Sequence, residues 1–237
     1  MGEVLAALDL DIRRASDLTD ESVGSGEPWS LPGLRGRLVE LVGGAQSANI
    51  SAACRLIVQA QMAGDFAAWV ATHRDVFFPP DVAAAGVDLG CLPVVWALPQ
   101  GETRFESRAA TRDAAHGTSR GATRDAARCA SRGAERLLRS GAFGLIIIDL
   151  ARDLSLDSVA QGRLLRLAEH HAATVLILRR KRIDEIYSGS LVTVRGESSC
   201  EQIGPGRFRA TIANTKDKRE GPGWTADEEF DGPPGLY

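Results

Sequence analysis

The sequence predicts an α/β protein built on a mainly parallel, twisted sheet, with helices on both faces and an antiparallel strand pair at its C-terminal end. Three observations carry this expectation. Short apolar runs, RLVELV, FAAWVAT, LPVVWAL, FGLIIIDL and TVLILRR, recur along the chain with helix-like segments between them. Strands that alternate with helices pair in parallel, and the helices then cover both faces of the sheet. Two further extended runs, GSLVTVRG and RFRATIANT, follow one another near the end and read as an antiparallel pair. Finally, 237 residues of ordinary apolar content suffice to bury one substantial core.

Residues 3–14, EVLAALDLDIRR, place Val4, Leu5, Leu8 and Ile12 on one face of a short amphipathic helix. The Ser/Asp/Gly/Pro-rich stretch after it reads as a linker over 15–32. The helix either folds back onto its own domain or packs on something else. The body then runs over 33–222. RLVELV is a strand and SAACRLIVQAQMAG a helix. FAAWVAT is a strand, PPDVAAAG a short helix and LPVVWAL a strand. A long Ala/Arg segment ends in AERLLRSG. FGLIIIDL, VAQGRLLRLAEHHA and TVLILRR form a strand, a helix and a strand. The acidic, Pro/Gly-rich residues 223–237 read as a mobile tail, with Phe230 and Tyr237 as anchors if it binds a partner.

Within the Ala/Arg insertion, around 104–134, ATRDAAHGTSRG is followed by ATRDAARCASRG, matching at nine of twelve positions. Arginine recurs every four residues, at Arg104, Arg108, Arg112, Arg120, Arg124, Arg128, Arg132 and Arg136, with His116 in the gap. That step keeps side chains on one slowly drifting helical stripe. The segment is either a solvated insertion or a basic face for DNA or an acidic partner. The net charge of −3 supplies no global attraction to nucleic acid or membrane.

Cys54, Cys91, Cys129 and Cys200 are scattered, so neither a disulfide framework nor a zinc site is expected. His170 and His171 have no third metal-type neighbour in sequence. With no leader and no apolar run near membrane-spanning length, the sequence predicts a soluble protein of a reducing compartment.

The stretch ELVGGAQSANIS has the outline of a phosphate-binding loop. Such a loop surrounds phosphates with backbone N–H groups at a helix N-terminus. A lysine reaches the terminal phosphates, and a hydroxyl holds magnesium. Gly43 and Gly44 open the loop here. Ala48 stands at the second glycine position, Asn49 at the lysine and Ile50 at the hydroxyl. Asn49 is neutral and short, and Ile50 cannot ligate a metal. The loop is therefore expected to persist as scaffold, without a cofactor and without catalysis. Weak anion binding by its backbone is the alternative. Asp149, at the end of FGLIIID, stands where nucleotide hydrolases keep a magnesium-holding acid and reads as vestigial.

The segments LPGLRGRLVELVGG, AERLLRSGAFGLIIIDL and LLRLAEHHAATVLIL, in this order, resemble the core of the bacterial recombinase RecA over roughly residues 31–222. The helix VLAALDLDIRR resembles that recombinase's N-terminal helix, which packs on the neighbouring filament subunit. This implies partner contacts through Leu5, Leu8 and Ile12. IANTKDKREGP resembles the segment whose two lysines reach the adjacent subunit's nucleotide, which implies that role for Lys216 and Lys218. The departures are large. His73 falls where the catalytic glutamate is expected, and the two DNA-binding loops shrink to LARDLSLDS and RRKRIDEIYSG. Arginine near Arg180 replaces the nucleotide-sensing glutamine.

A core stripped of its chemistry, with its subunit-joining features kept, resembles the ImuA family. The resemblance implies a cytoplasmic accessory factor of SOS translesion mutagenesis, at the nucleoid when DNA is damaged. Its implied partners are RecA and an ImuB-type polymerase-like subunit. Weak single-stranded DNA binding is expected through Arg179, Arg180, Lys181 and Arg182, with Arg112 and Arg124 as further candidates. The SulA-like division inhibitors, which bind FtsZ, share this stripped core and form the alternative. A third reading is an ATPase in which the Arg179–Arg182 cluster replaces the lost lysine.

Overall fold

The computed structural model of the chain describes residues 27–44, 46–73, 77–97, 120–151, 154–180 and 191–232. Its strands are β1 (Leu38–Gly43), β2 (Phe66–Ala71), β3 (Val94–Trp96), β4 (Phe143–Asp149), β5 (Thr174–Arg180), β6 (Val194–Gly204), β7 (Arg207–Asp217) and β8 (Thr225–Asp231). They form one eight-stranded sheet in the order β3-β2-β4-β5-β1-β6-β7-β8. Every pairing from β3 to β6 is parallel. The pairs β6–β7 and β7–β8 are antiparallel. The expected mixed α/β sheet is therefore present, with three strands rather than two in its antiparallel end group.

The helices are α1 (Leu31–Leu34), α2 (Asn49–Met62), α3 (Pro79–Ala84), α4 (Arg120–Arg139) and α5 (Ser158–His171). Two cores result, one on each face of the sheet. In β4, Leu145 and Ile147 enter the core beneath α2, while Ile146 and Ile148 enter the core beneath α4 and α5. A strand buried on both faces has no use for polar alternation, which accounts for the unbroken LIII run. The helix α4 packs through Ala126, Ala130, Ala134 and Leu138, a four-residue apolar step. In α5 the N-cap Asp157 accepts from Ala160 N–H at 2.7 Å, meeting one of the donors that a helix start leaves open. Among the described residues no helix is long and apolar enough to cross a membrane.

Two sequence expectations are corrected. The segment read as a mobile acidic tail contains β8, because its acids meet partners on β7. Glu229 binds Arg207 and Arg209, each at 2.8 Å, and Asp227 accepts from Thr211 at 2.5 Å. Phe230 stacks on Phe208 with ring centroids 6.0 Å apart. The end of the assigned linker belongs to the core instead. Trp29 and Leu31 are 1% and 2% exposed, and Ser30 caps α1 by accepting from Gly33 N–H.

The start of β1 is tied to the end of β7 by a buried ion pair between Arg37 and Asp217. Burial pushes the Asp217 carboxyl up. The Arg219 N–H, the Arg37 guanidinium, the Glu220 N–H and the Trp224 indole together bring it below the ordinary carboxylate value. A depressed folded value gives stability that is complete above the unfolded value of about 3.9 and lost as pH falls through the folded one. Replacing Arg37 with alanine strands a buried carboxylate. It is expected to lower unfolding free energy by about 3–5 kcal/mol at neutral pH. Denaturant titration measures this, and an unchanged midpoint contradicts it.

Candidate functional site

The turn after β1 has the strand–turn–helix form expected of a phosphate loop, and its side chains fill it. A Cβ placed on Gly43 would lie 2.1 Å from Ser47 Cβ and 2.9 Å from Asn49 Oδ1, so only glycine fits beneath these two residues. Gly44 is exposed, while Ala48 is buried at the first turn of α2. Ile50 is partly buried and packs against the core beneath α2.

Asn49, at the lysine position, is 5% exposed and turned into the protein. Its Nδ2 donates to the Arg179 carbonyl at 2.9 Å and, at 3.5 Å, to the Leu41 carbonyl. Its Oδ1 accepts from Ser198 Oγ at 2.6 Å. One amide therefore joins β5, β1 and β6. A second tie holds the turn itself, where Cys200 N–H donates to the Gln46 carbonyl at 2.9 Å. A lysine could not make this set of bonds, since it has three donors and no acceptor.

Asp149 lies across the sheet, where Ala71 of β2 and Leu178 of β5 are its strand neighbours. Its carbonyl accepts from Thr72 N–H at 3.1 Å and Thr72 Oγ1 at 3.0 Å. The carboxyl is the unusual part. It is 5% exposed, and neither Asp149 Oδ2 nor Trp69 Nε1 meets hydrogen-bond geometry with a partner. Burial pushes its pKa up to about 7, against the opposing pull of the Arg180 guanidinium and the Trp69 indole. An acid half-protonated at neutral pH is poorly suited to holding a cation. Among the described residues, no three or more His, Cys, Asp or Glu side chains are arranged to hold a metal.

The cations sort into groups that the sequence did not separate. Glu40, inside β1, is bound by Arg195 at 2.6 Å and Arg179 at 3.3 Å. Arg179, expected to face DNA, thus has a side chain only 11% exposed, and Arg180 is the solvent-facing member of the pair. Lys216 sits opposite Arg195 on β7. Burial lowers its pKa, and Lys218 and Arg195 lower it further, while Glu40 opposes them. These lysines lie near the starts of β1 and β6, where Arg195 is level with Glu40 and Lys218 N–H donates to Thr193. The phosphate-type turn lies at the other end of β1, more than one strand residue pair further on. By register Lys216 is level with Glu40, three residues before Gly43 at the turn. Leu5, Leu8, Ile12, Arg112, Lys181 and Arg182 lie outside the described residues. Arg124 is exposed on α4. His170 and His171 end α5 with their rings 4.7 Å apart, edge to face.

Sequence reasoning missed the Glu40 and Arg37 pairings. The signal available was a carboxylate and a guanidinium inside or beside the apolar run LVELV. No protein-family model matches this chain, and no curated protein matches it.

Two outcomes test this site. Asp149→Asn removes a charge that becomes costly as pH rises. A raised folded value means the wild type loses stability between about pH 4 and pH 7, by up to ~4 kcal/mol. The variant is expected to melt higher than wild type at pH 8 and equally at pH 4. Equal melting at both values contradicts a neutralised carboxyl. Asn49→Lys is expected to destabilise by about 1–3 kcal/mol, because the Arg179 carbonyl and the Ser198 hydroxyl lose their partner. It is also expected to leave ATP hydrolysis at background, and measurable turnover would show that the turn still accepts a nucleotide.

Proposed function

We propose that this protein is a non-catalytic RecA-like adaptor of SOS translesion DNA synthesis, of the ImuA kind. It binds and caps the RecA filament and links it to the error-prone polymerase assembly with its ImuB-type subunit. The observation that carries this reading is the use of Asn49. The residue at the lysine position ties three strands together, so the turn is maintained as structure while its phosphate-gripping group is gone. Lys216 and Lys218 support the same reading from the other side. By register they lie toward the opposite end of β1 from the turn, a placement compatible with reaching a nucleotide held by a neighbouring subunit. A subunit that offers interfaces but does not turn over ATP ends a filament rather than extending it.

The test is co-sedimentation with the host recombinase on single-stranded DNA, with a slowly hydrolysed ATP analogue and filament length read in parallel. The wild type is expected to co-sediment and to shorten filaments. Leu5→Asp with Leu8→Asp is expected to abolish binding. Lys216→Gln with Lys218→Gln is expected to restore filament length. Undiminished binding of the leucine variant overturns the docking role of the first helix. Failure of the wild type to bind overturns the adaptor reading.

A further inference from the structure

Half of the duplicated Ala/Arg segment lies among the described residues. Its second copy, residues 122–133, lies within α4. On this helix Arg124, Arg128, Arg132, Arg136 and Arg139 are all exposed. None of the five makes a side-chain hydrogen bond or an ion pair among the described residues. The opposite side of α4, through Ala126, Ala127, Ala130, Ala134 and Leu138, is committed to the core. The two faces are therefore fixed relative to each other, and the arginines cannot rotate inward.

We propose that this face of α4 binds the phosphodiester backbone of nucleic acid, without reading its sequence. At 1.5 Å per residue the stripe from Arg124 to Arg139 is about 22 Å long. Each four-residue step advances it by roughly 40° around the helix, and the final three-residue step to Arg139 brings it back. The result is a winding band of cations spread over roughly a third of the helix circumference, suited to a linear polyanion. The residue type fits the same ligand, since a guanidinium offers a planar donor fork to phosphate oxygens. Opposing charge is sparse. Asp125 is exposed on the same helix, and Glu135 is occupied by Arg163 of α5 at 2.7 Å.

The chemistry of the face favours this ligand over two others. A protein interface concentrates its energy in a central cluster of aromatic or apolar anchors, and no aromatic residue lies on α4. A membrane-surface helix needs an apolar side free to enter the lipid, and here that side is spent on the core. The inference does not depend on the adaptor reading.

The experiment is fluorescence anisotropy of the full chain with labelled single-stranded and duplex DNA over a salt series. Five neutralised phosphates on duplex DNA predict that affinity falls roughly 500-fold between about 50 and 200 mM salt. Replacing Arg128, Arg132 and Arg136 with glutamine leaves two contacts, and the same salt change then costs about tenfold. The variant's melting temperature should be unchanged, because the three side chains are exposed. Arg207→Gln with Arg209→Gln, which alters a cation pair on β7, should keep the full salt dependence. Preference between the two DNA arms identifies the form of backbone that the face takes. No binding at the lowest salt, or a triple variant that binds like wild type, overturns the proposal. It is equally overturned if polyglutamate or phosphatidylserine vesicles bind as tightly as DNA and the triple variant loses all of these together.

Discussion

A carboxylate moved out of water costs several kcal/mol unless charge and hydrogen bonds meet it in the interior. Strand β1 carries one such group, Glu40, with the buried guanidinium of Arg37 three residues before it. Strands β5, β6 and β7 each send a charged partner to these two residues. Glu40 is met by Arg179 from β5 and Arg195 from β6, on its two flanking strands. Arg37 is met by Asp217 from the end of β7. Replacement of such groups by well-packed apolar side chains is often neutral or stabilising, so their value need not be stability. Their effect here is on register. A shift of β6 by one residue would turn Arg195 to the other face and leave Glu40 short of its closest partner. The antiparallel group is thereby held in one alignment on a parallel core that ends at β6.

That dependence explains which parts of the fold were legible in the sequence. The strands β4 and β5 announce themselves because a strand covered on both faces is apolar at successive positions, and no other element of this length is. The helix α5 is legible from its period and its aspartate cap. The strand β8 was not legible. TADEEFD has the composition of a solvated segment, and its pairing depends on Arg207, Arg209 and Thr211, about twenty residues earlier on β7. Trp29 was hidden for a related reason, being a single large apolar residue within a Ser/Pro/Gly stretch. Periodicity needs several residues to register, whereas one buried indole suffices to pin the chain to α2.

The candidate site divides in the same way. That position 49 carries an asparagine and not a lysine can be read from the sequence alone. The use to which Asn49 is put cannot, because its partners are the Arg179 carbonyl and the Ser198 hydroxyl, on strands far away in sequence. An amide both donates and accepts, so it can join strands that a lysine could only attract. Asn49 thus gives the turn a structural part. A phosphate loop draws its free donors toward a ligand, and this one draws its side chains toward the sheet. Asp149 follows the same direction, since a carboxyl buried beside an indole is more stable without its charge.

Charged side chains outside the site are unevenly distributed across the sheet. The helix α4 covers β2 and β4 toward one end of the sheet and presents arginines to solvent. The strand β8 forms the opposite edge and carries Asp227, Glu228, Glu229 and Asp231. The net charge of −3 conceals this separation, because the two ends largely cancel. An edge strand with exposed backbone groups is a template for unwanted pairing, and charged side chains along it discourage that. A molecule held through α4 would consequently keep its antiparallel group directed away from the bound backbone, with Lys216 and Lys218 at the start of β1 and Asn49 closing the turn at its far end.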